Sequence, residues 1–142
     1  MEGCKPAATP MNQKEKFCKE DGAEKVNEKL YRNLIGCLMY LSASRPDILH
    51  AESLLSRYMN CASRIHLQAA KRVLRYVKGT VDFGIRYLYV KNFRLLGYSD
   101  TDWARCADDM KSTSGYLFSF GFGIFFMLFK ETGINPQQKQ NM

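Results

Sequence analysis

The sequence predicts an α+β chain, with three helices followed by an antiparallel sheet. Two observations carry this. Between Glu28 and Lys78 the apolar residues recur at steps of three and four, so each run shares one helical face. Beyond Gly79 the pattern changes to short runs rich in aromatic and β-branched residues, broken by polar or glycine turns. With 46% hydrophobic and 13% aromatic residues in 142, the chain can support a core.

Residues 1–27 hold Pro6, Pro10 and Gly22 among many lysines and glutamates. They are expected to form an extended or frayed arm with solvated charges. A helical segment, 28–80, follows. Its first helix, near 28–43, is read from Tyr31, Leu34, Ile35, Leu38 and Leu41. Gly36 would permit close approach of another helix, and Cys37 is assigned to core packing. This helix should stop before Arg45-Pro46, because the residue preceding proline is pushed out of the α conformation.

Ser44 is the expected cap of a second helix, near 46–60, with Pro46 in its first turn and Asp47 favourable against the dipole. Ile48, Ala51, Leu55 and Tyr58 or Met59 form its stripe. Glu52 sits beside that stripe, either at the rim or as a destabilising intruder. Ser63 reads as the N-cap of a third helix, near 64–78, with Leu67, Ala70, Leu74 and Val77 inward. Lys71, Arg72, Arg75 and Lys78 lie largely off that stripe and form a basic ridge. Such a ridge can sit along phosphates, releasing their counterions. An ordinary solvated helix face is the simpler reading of the same residues. His50 and His66 have no partner at metal-ligand spacing, so packing or capping is their expected role.

Gly79 is expected to cap the third helix. A sheet segment, 81–129, then predicts strands near 83–89, 94–100, 114–120 and 123–129. Lys91-Asn92 and the Gly121–Gly123 stretch are its turns. Residues 130–142 read as a disordered tail. Asp100, Asp102, Asp108 and Asp109 crowd the end of one strand and the loop after it. A nuclease holds a metal at such a place, but only with several carboxylates converging from different elements.

Net charge +7 suits nucleic acid or an acidic surface as partner, and equally a solvated positive face. The five cysteines, at positions 4, 18, 37, 61 and 106, are odd in number and widely spaced. That argues against a zinc site or disulfide framework and for reduced thiols in an intracellular chain. The first twenty residues show no signal peptide. The apolar run from Tyr116 to Phe129 is shorter than the roughly 20 residues that span a bilayer. No glycine-rich phosphate loop, Gly-x-Ser-x-Gly or His-Glu-x-x-His occurs. Neither a membrane nor a small-molecule substrate is therefore expected as a partner.

Five stretches together are specific. They are Tyr31 to Arg45, Arg45 to Ile48, His66 to Thr80, Gly97 to Ala104 and Asp109 to Tyr116. In order and spacing they resemble the pol polyprotein of copia-type retrotransposons, over about residues 3–121. The arm residues Cys4-Lys5-Pro6 and Thr9-Pro10 are similar to the segment after that family's polymerase palm. The resemblance implies a helical reverse transcriptase thumb and connection over 28–80, running into a partial ribonuclease H-like sheet over 81–129. It implies an intact family that makes DNA from RNA and cleaves the RNA of a hybrid, using magnesium.

The polymerase metal site would lie upstream of residue 1. Of the ribonuclease H carboxylates only the first is matched, by Asp100, which is vestigial on this reading. The others would lie downstream. Asp102, Asp108 and Asp109 fit the solvated loop of the motif better than they fit substitutes. Arg105, Glu52 and Ala62 stand where the family has glycine, a small apolar residue and proline. After Gly123 the resemblance stops abruptly, as a frameshift, intron read-through or truncation would leave it.

The resulting expectation is a non-catalytic remnant of a copia-type reverse transcriptase/ribonuclease H, with no cofactor and no metal site of its own. One alternative is a weak, sequence-independent nucleic-acid-binding module that uses Lys71, Arg72, Arg75 and Lys78 on an RNA/DNA hybrid or other nucleic acid. Another is a metal-dependent nuclease using the Asp100 cluster.

Overall fold

The computed structural model describes residues 3–89, 91–92, 94–102, 112–120 and 123–132. The chain divides into a helical unit ending at Gly84 and a sheet unit beginning at Ile85. The order of elements is α+β, as the periodicity predicts. Helix α1 spans Glu28–Ser42, a 3₁₀ turn spans Pro46–Ile48, α2 spans Leu49–Ser56 and α3 spans Arg64–Gly79. Strands β1 (Leu95–Asp102), β2 (Ser112–Phe120) and β3 (Gly123–Thr132) follow.

In α1 the Asn27 side chain accepts from the Leu30 N–H, so the helix starts on a true cap. Tyr31, Ile35 and Leu38 form its buried line, and the Tyr31 hydroxyl donates to the Leu55 carbonyl at 2.9 Å. Burial raises the Tyr31 phenol far above its ordinary range. Cys37 lies off that line and is exposed, which corrects its assignment to the core. Ser44 does not cap the next helix. Its hydroxyl donates back to the Leu41 carbonyl, and Arg45 takes the N-cap position with no side-chain cap bond.

The expected second helix is shorter than its pattern. Pro46 starts a 3₁₀ turn, and α2 ends at Ser56, with residues 57–60 forming turns. Glu52 is not at the rim. It is 5% exposed, and burial pushes its carboxyl above the usual range. Ile48, Ala51, Leu55, Tyr58 and Ala62 join the core that α1 and α3 share.

The arm is not frayed. Phe17 is buried in the helical core, and Ala7 and Met11 pack against that core. Val26 and Ala62 share a backbone hydrogen bond of 3.0 Å, and Arg64 N–H donates to the Glu24 carbonyl at 2.9 Å. Apolar side chains too few to fold alone are buried here by lying across helices already formed.

Strands β1, β2 and β3 form an antiparallel meander in that order. Leu95 pairs with Phe120 and Asp100 with Gly115 across β1 and β2. The β2–β3 register shifts between Phe118 and Ser119. At Gly115 the Phe129 ring lies 3.0 Å from where a Cβ would stand, so a larger residue there would have to push that ring aside by a few tenths of an ångström. Residues 83–89 are not a strand, despite their β-prone composition. Phe83 N–H closes a turn on the Thr80 carbonyl, and the Tyr87 hydroxyl bonds the Ile124 carbonyl at 3.2 Å. Side-chain anchoring takes the place of a ladder. Residues 130–132, expected in the tail, continue β3. The rest of that tail, the Gly121 turn and the Asp108–Asp109 loop lie outside the described residues.

Candidate nucleic-acid interface

Helix α3 is positioned from both ends. At its start Ser63 is the N-cap, as its sequence position predicts, and His66 at N3 completes a capping box. Ser63 N–H donates to His66 Nδ1 at 3.0 Å, and Ser63 Oγ lies 2.9 Å from the same nitrogen. The Ser63 hydroxyl also donates to the Asp21 carboxylate. That bond, more than any other cause, holds the Asp21 carboxyl below its usual range. His66 is fully buried and stacks on Tyr58, with ring centroids 4.1 Å apart. Serine, histidine and aspartate therefore meet here as a cap. Ser63 is fully buried, out of reach of a substrate.

At the other end of α3, Arg45 grips the helix terminus. Its Nε and Nη2 donate to the two Asp47 oxygens at 2.9 and 2.7 Å. Nη1 donates to the Thr80 carbonyl at 2.9 Å, satisfying one of the orphan acceptors of the C-terminus. Arg45 is 4% exposed, with its guanidinium over the rings of Tyr76 and Phe83. The Arg45 fork holds the Asp47 carboxyl below its ordinary range, and burial raises the Tyr76 phenol.

The inward line of α3 is His66, Ala69, Ala70, Val73 and Tyr76. Leu67, Leu74 and Val77, expected inside, are half-buried. This rotation brings the expected ridge against the arm. Arg72 Nη2 donates to Thr9 Oγ1 at 2.9 Å, Ala7 N–H donates to the Arg75 carbonyl at 3.3 Å, and Lys78 Nζ donates to the Cys4 carbonyl at 3.1 Å. Pro6 Cβ lies 2.7 Å from where a Gly79 Cβ would stand. Gly79 is therefore a close-approach glycine inside the helix, and Thr80, not Gly79, is the C-cap. Lys71 and Lys78 are exposed, and Arg72 and Arg75 half-buried. All four cations lie on one helix, with the arm running antiparallel across three of them.

Asp100 is exposed on β1, opposite Gly115. Among the described residues no group of three His, Cys, Asp or Glu side chains could hold a metal ion. The described donors do not fit a magnesium site, which takes several oxygen ligands from more than one element. Among the described residues no helix is long and apolar enough to cross a membrane.

The chain is thus an α+β arrangement in which a helical unit with one basic helix precedes a small antiparallel sheet. Similarity to known proteins gives the family. The chain is 42% identical over 117 residues to the retrovirus-related Pol polyprotein from transposon RE2 of Arabidopsis thaliana, covering 82% of this chain and 8% of that protein. It is 36% identical over 134 residues to the Pol polyprotein from transposon TNT 1-94 of Nicotiana tabacum, covering 87% of this chain and 10% of that protein. An uncharacterized mitochondrial protein of Arabidopsis thaliana is 38% identical over 78 residues, covering 55% of this chain and 70% of that protein. Its relatives over most of its length are thus retrovirus-related Pol polyproteins of copia-type transposons. It spans about 8% of the length of the first relatives it matches. No protein-family model matches the chain, and no solved structure does.

The Arg45 clamp and the arm's place on α3 emerge only in the structure. The clamp has a sequence signal, since Arg45 and Asp47 flank a proline that turns their side chains together. The arm has only the small residues Pro6, Ala7 and Gly79.

Proposed function

We propose that this chain is a non-catalytic segment of a copia-type reverse transcriptase/ribonuclease H polyprotein, with thumb- and connection-like helices and a partial ribonuclease H-like sheet. Its own activity is weak, sequence-independent binding to an RNA/DNA hybrid or other nucleic acid, through Lys71, Arg72, Arg75 and Lys78. The observation that carries this is the relationship to Pol polyproteins over most of the chain, joined to four cations on one helix. Phosphate contacts position a protein without specifying sequence, so base composition should matter little.

Non-catalysis follows from donor chemistry. Hydrolysis by two metal ions about 3.5–4 Å apart needs several carboxylates. Asp100 supplies one, so the chain requires no cofactor. The test is incubation of the chain and its Asp100→Asn variant with a labelled RNA/DNA hybrid and magnesium or manganese. Equal background with both proteins is expected. Cleavage that disappears in Asp100→Asn would establish the nuclease reading instead. In parallel, reversing all four α3 cations to glutamate should abolish hybrid binding measured by fluorescence anisotropy. Binding that persists would place the interface elsewhere.

A further inference from the structure

We propose that residues 4–9 are a displaceable cover on the basic face of α3, whose oxygens occupy the places that phosphate oxygens take when a nucleic-acid strand binds. This rests on the phosphate-binding reading above. The arm runs antiparallel to α3, meeting Lys78 at Cys4, Gly79 at Pro6, Arg75 at Ala7 and Arg72 at Thr9. Its acceptors there are a backbone carbonyl and a hydroxyl, both neutral. They engage the donors of Arg72 and Lys78 without cancelling their charge.

From Gly3 to Lys14 the arm has no acidic residue and adds Lys5 and Lys14. The covered face therefore keeps its positive potential and still attracts a polyanion. The cover is also incomplete. Thr9 meets one donor of the Arg72 guanidinium, while Arg72 Nε, buried, has no hydrogen-bond partner among the described residues. A phosphate presents several charged acceptors in the same space, and charge-assisted bonds are about twice as strong as neutral ones. Further along, Phe17 is buried in the core, so residues 4–9 can leave α3 while the arm stays attached.

A closed cover lowers apparent affinity by the fraction of molecules in which it is open. The experiment uses the full chain and a fluorescein-labelled mixed-sequence RNA/DNA hybrid, with binding followed by anisotropy across a salt series. Thr9→Val removes the acceptor of Arg72, and Ala7→Pro removes the N–H that bonds the Arg75 carbonyl. Each should bind about five-fold more tightly than the parent, the effect of losing one net hydrogen bond. The log–log salt slope should stay that of the parent, because the same phosphates are neutralised once the cover is displaced. Hydrogen exchange of residues 3–12 in the unmodified chain should speed up when hybrid is added, a readout that survives if a variant fails to fold.

Arm variants that bind no more tightly, with exchange unchanged or slowed by hybrid, would overturn the cover. If charge reversal on α3 abolishes binding in that case, the phosphate-binding reading stands alone. If charge reversal leaves binding intact, or no protein binds, that reading fails and the cover fails with it.

Discussion

Arg45 and Thr80, 35 positions apart, are tied by two hydrogen bonds, one to the Thr80 carbonyl at 2.9 Å and one to its hydroxyl at 2.7 Å. The same guanidinium forks onto Asp47. Thr80 in turn donates to the Tyr76 carbonyl, and Tyr76 to Asp47. The turn after α1 and the end of α3 are thereby one network. Arg45-Pro46-Asp47 and the stretch ending at Thr80, two separate motifs in sequence, are two halves of one clamp.

Breaking that clamp should be costly. Arg45→Met leaves the exposed Asp47 without its cation and two Thr80 acceptors unmet. A loss of about 2 kcal/mol in unfolding free energy is expected, the scale of hydrogen bonds to a charged group, with the ion-pair contribution discounted because Asp47 is exposed to solvent. Arg45→Lys keeps the charge but not the fork, so it should recover only part of the loss. Urea unfolding followed by circular dichroism measures both, and a wild-type midpoint in Arg45→Met would show that the clamp contributes nothing.

Glu52 should act in the opposite sense. Its carboxyl is raised above 4.5 because burial penalises the charge. The folded state therefore holds its proton at a pH where the unfolded chain has released it. Stability falls as pH rises from the ordinary carboxylate range through the raised value. Glu52→Gln should remove this fall and raise the thermal midpoint at pH 7 relative to that at about pH 4.5. Parallel pH profiles for the two proteins would refute the assignment.

Ser63 joins a cap to a carboxylate. Ser63→Ala should cost about 1–2 kcal/mol through the cap alone. The Asp21 carboxyl is depressed chiefly by the Ser63 hydroxyl. Its contribution is complete above the ordinary carboxylate range and is lost as pH falls below it. Ser63→Ala should flatten the acid side of the stability profile, read from thermal melts between about pH 2 and 5. An acid limb as steep as that of the parent would separate Asp21 from this hydroxyl.

The sheet should limit solubility. The strand register puts Leu95, Phe120, Tyr116 and Leu128 on one face, and all four are exposed. Contiguous apolar strand surface of low charge promotes association. Leu128→Lys, with its Tyr116 neighbour unchanged, should raise the concentration at which light scattering first appears. No change in that concentration would move the association surface elsewhere.

Much of this was legible in the chain itself. Periodicity located α1 and α3 to within one residue, because an amphipathic helix must keep its apolar side chains on one face wherever it docks. Ser63 announced its cap, since capping is a local bond between near neighbours. The β-prone runs at 94–100, 114–120 and 123–129 became strands, and the one at 83–89 did not. The reason is that a strand exists only with a partner, and composition does not state which run finds one. The exposure of Cys37, the burial of Glu52 and the rotated inward line of α3 were likewise tertiary matters. Each depends on what lies beside the helix, above all the arm. Residues 4–9 carry no periodicity that sequence reasoning can use. Their place across Arg72, Arg75 and Lys78 was decided only when the helices supplied the surface on which small side chains could pack.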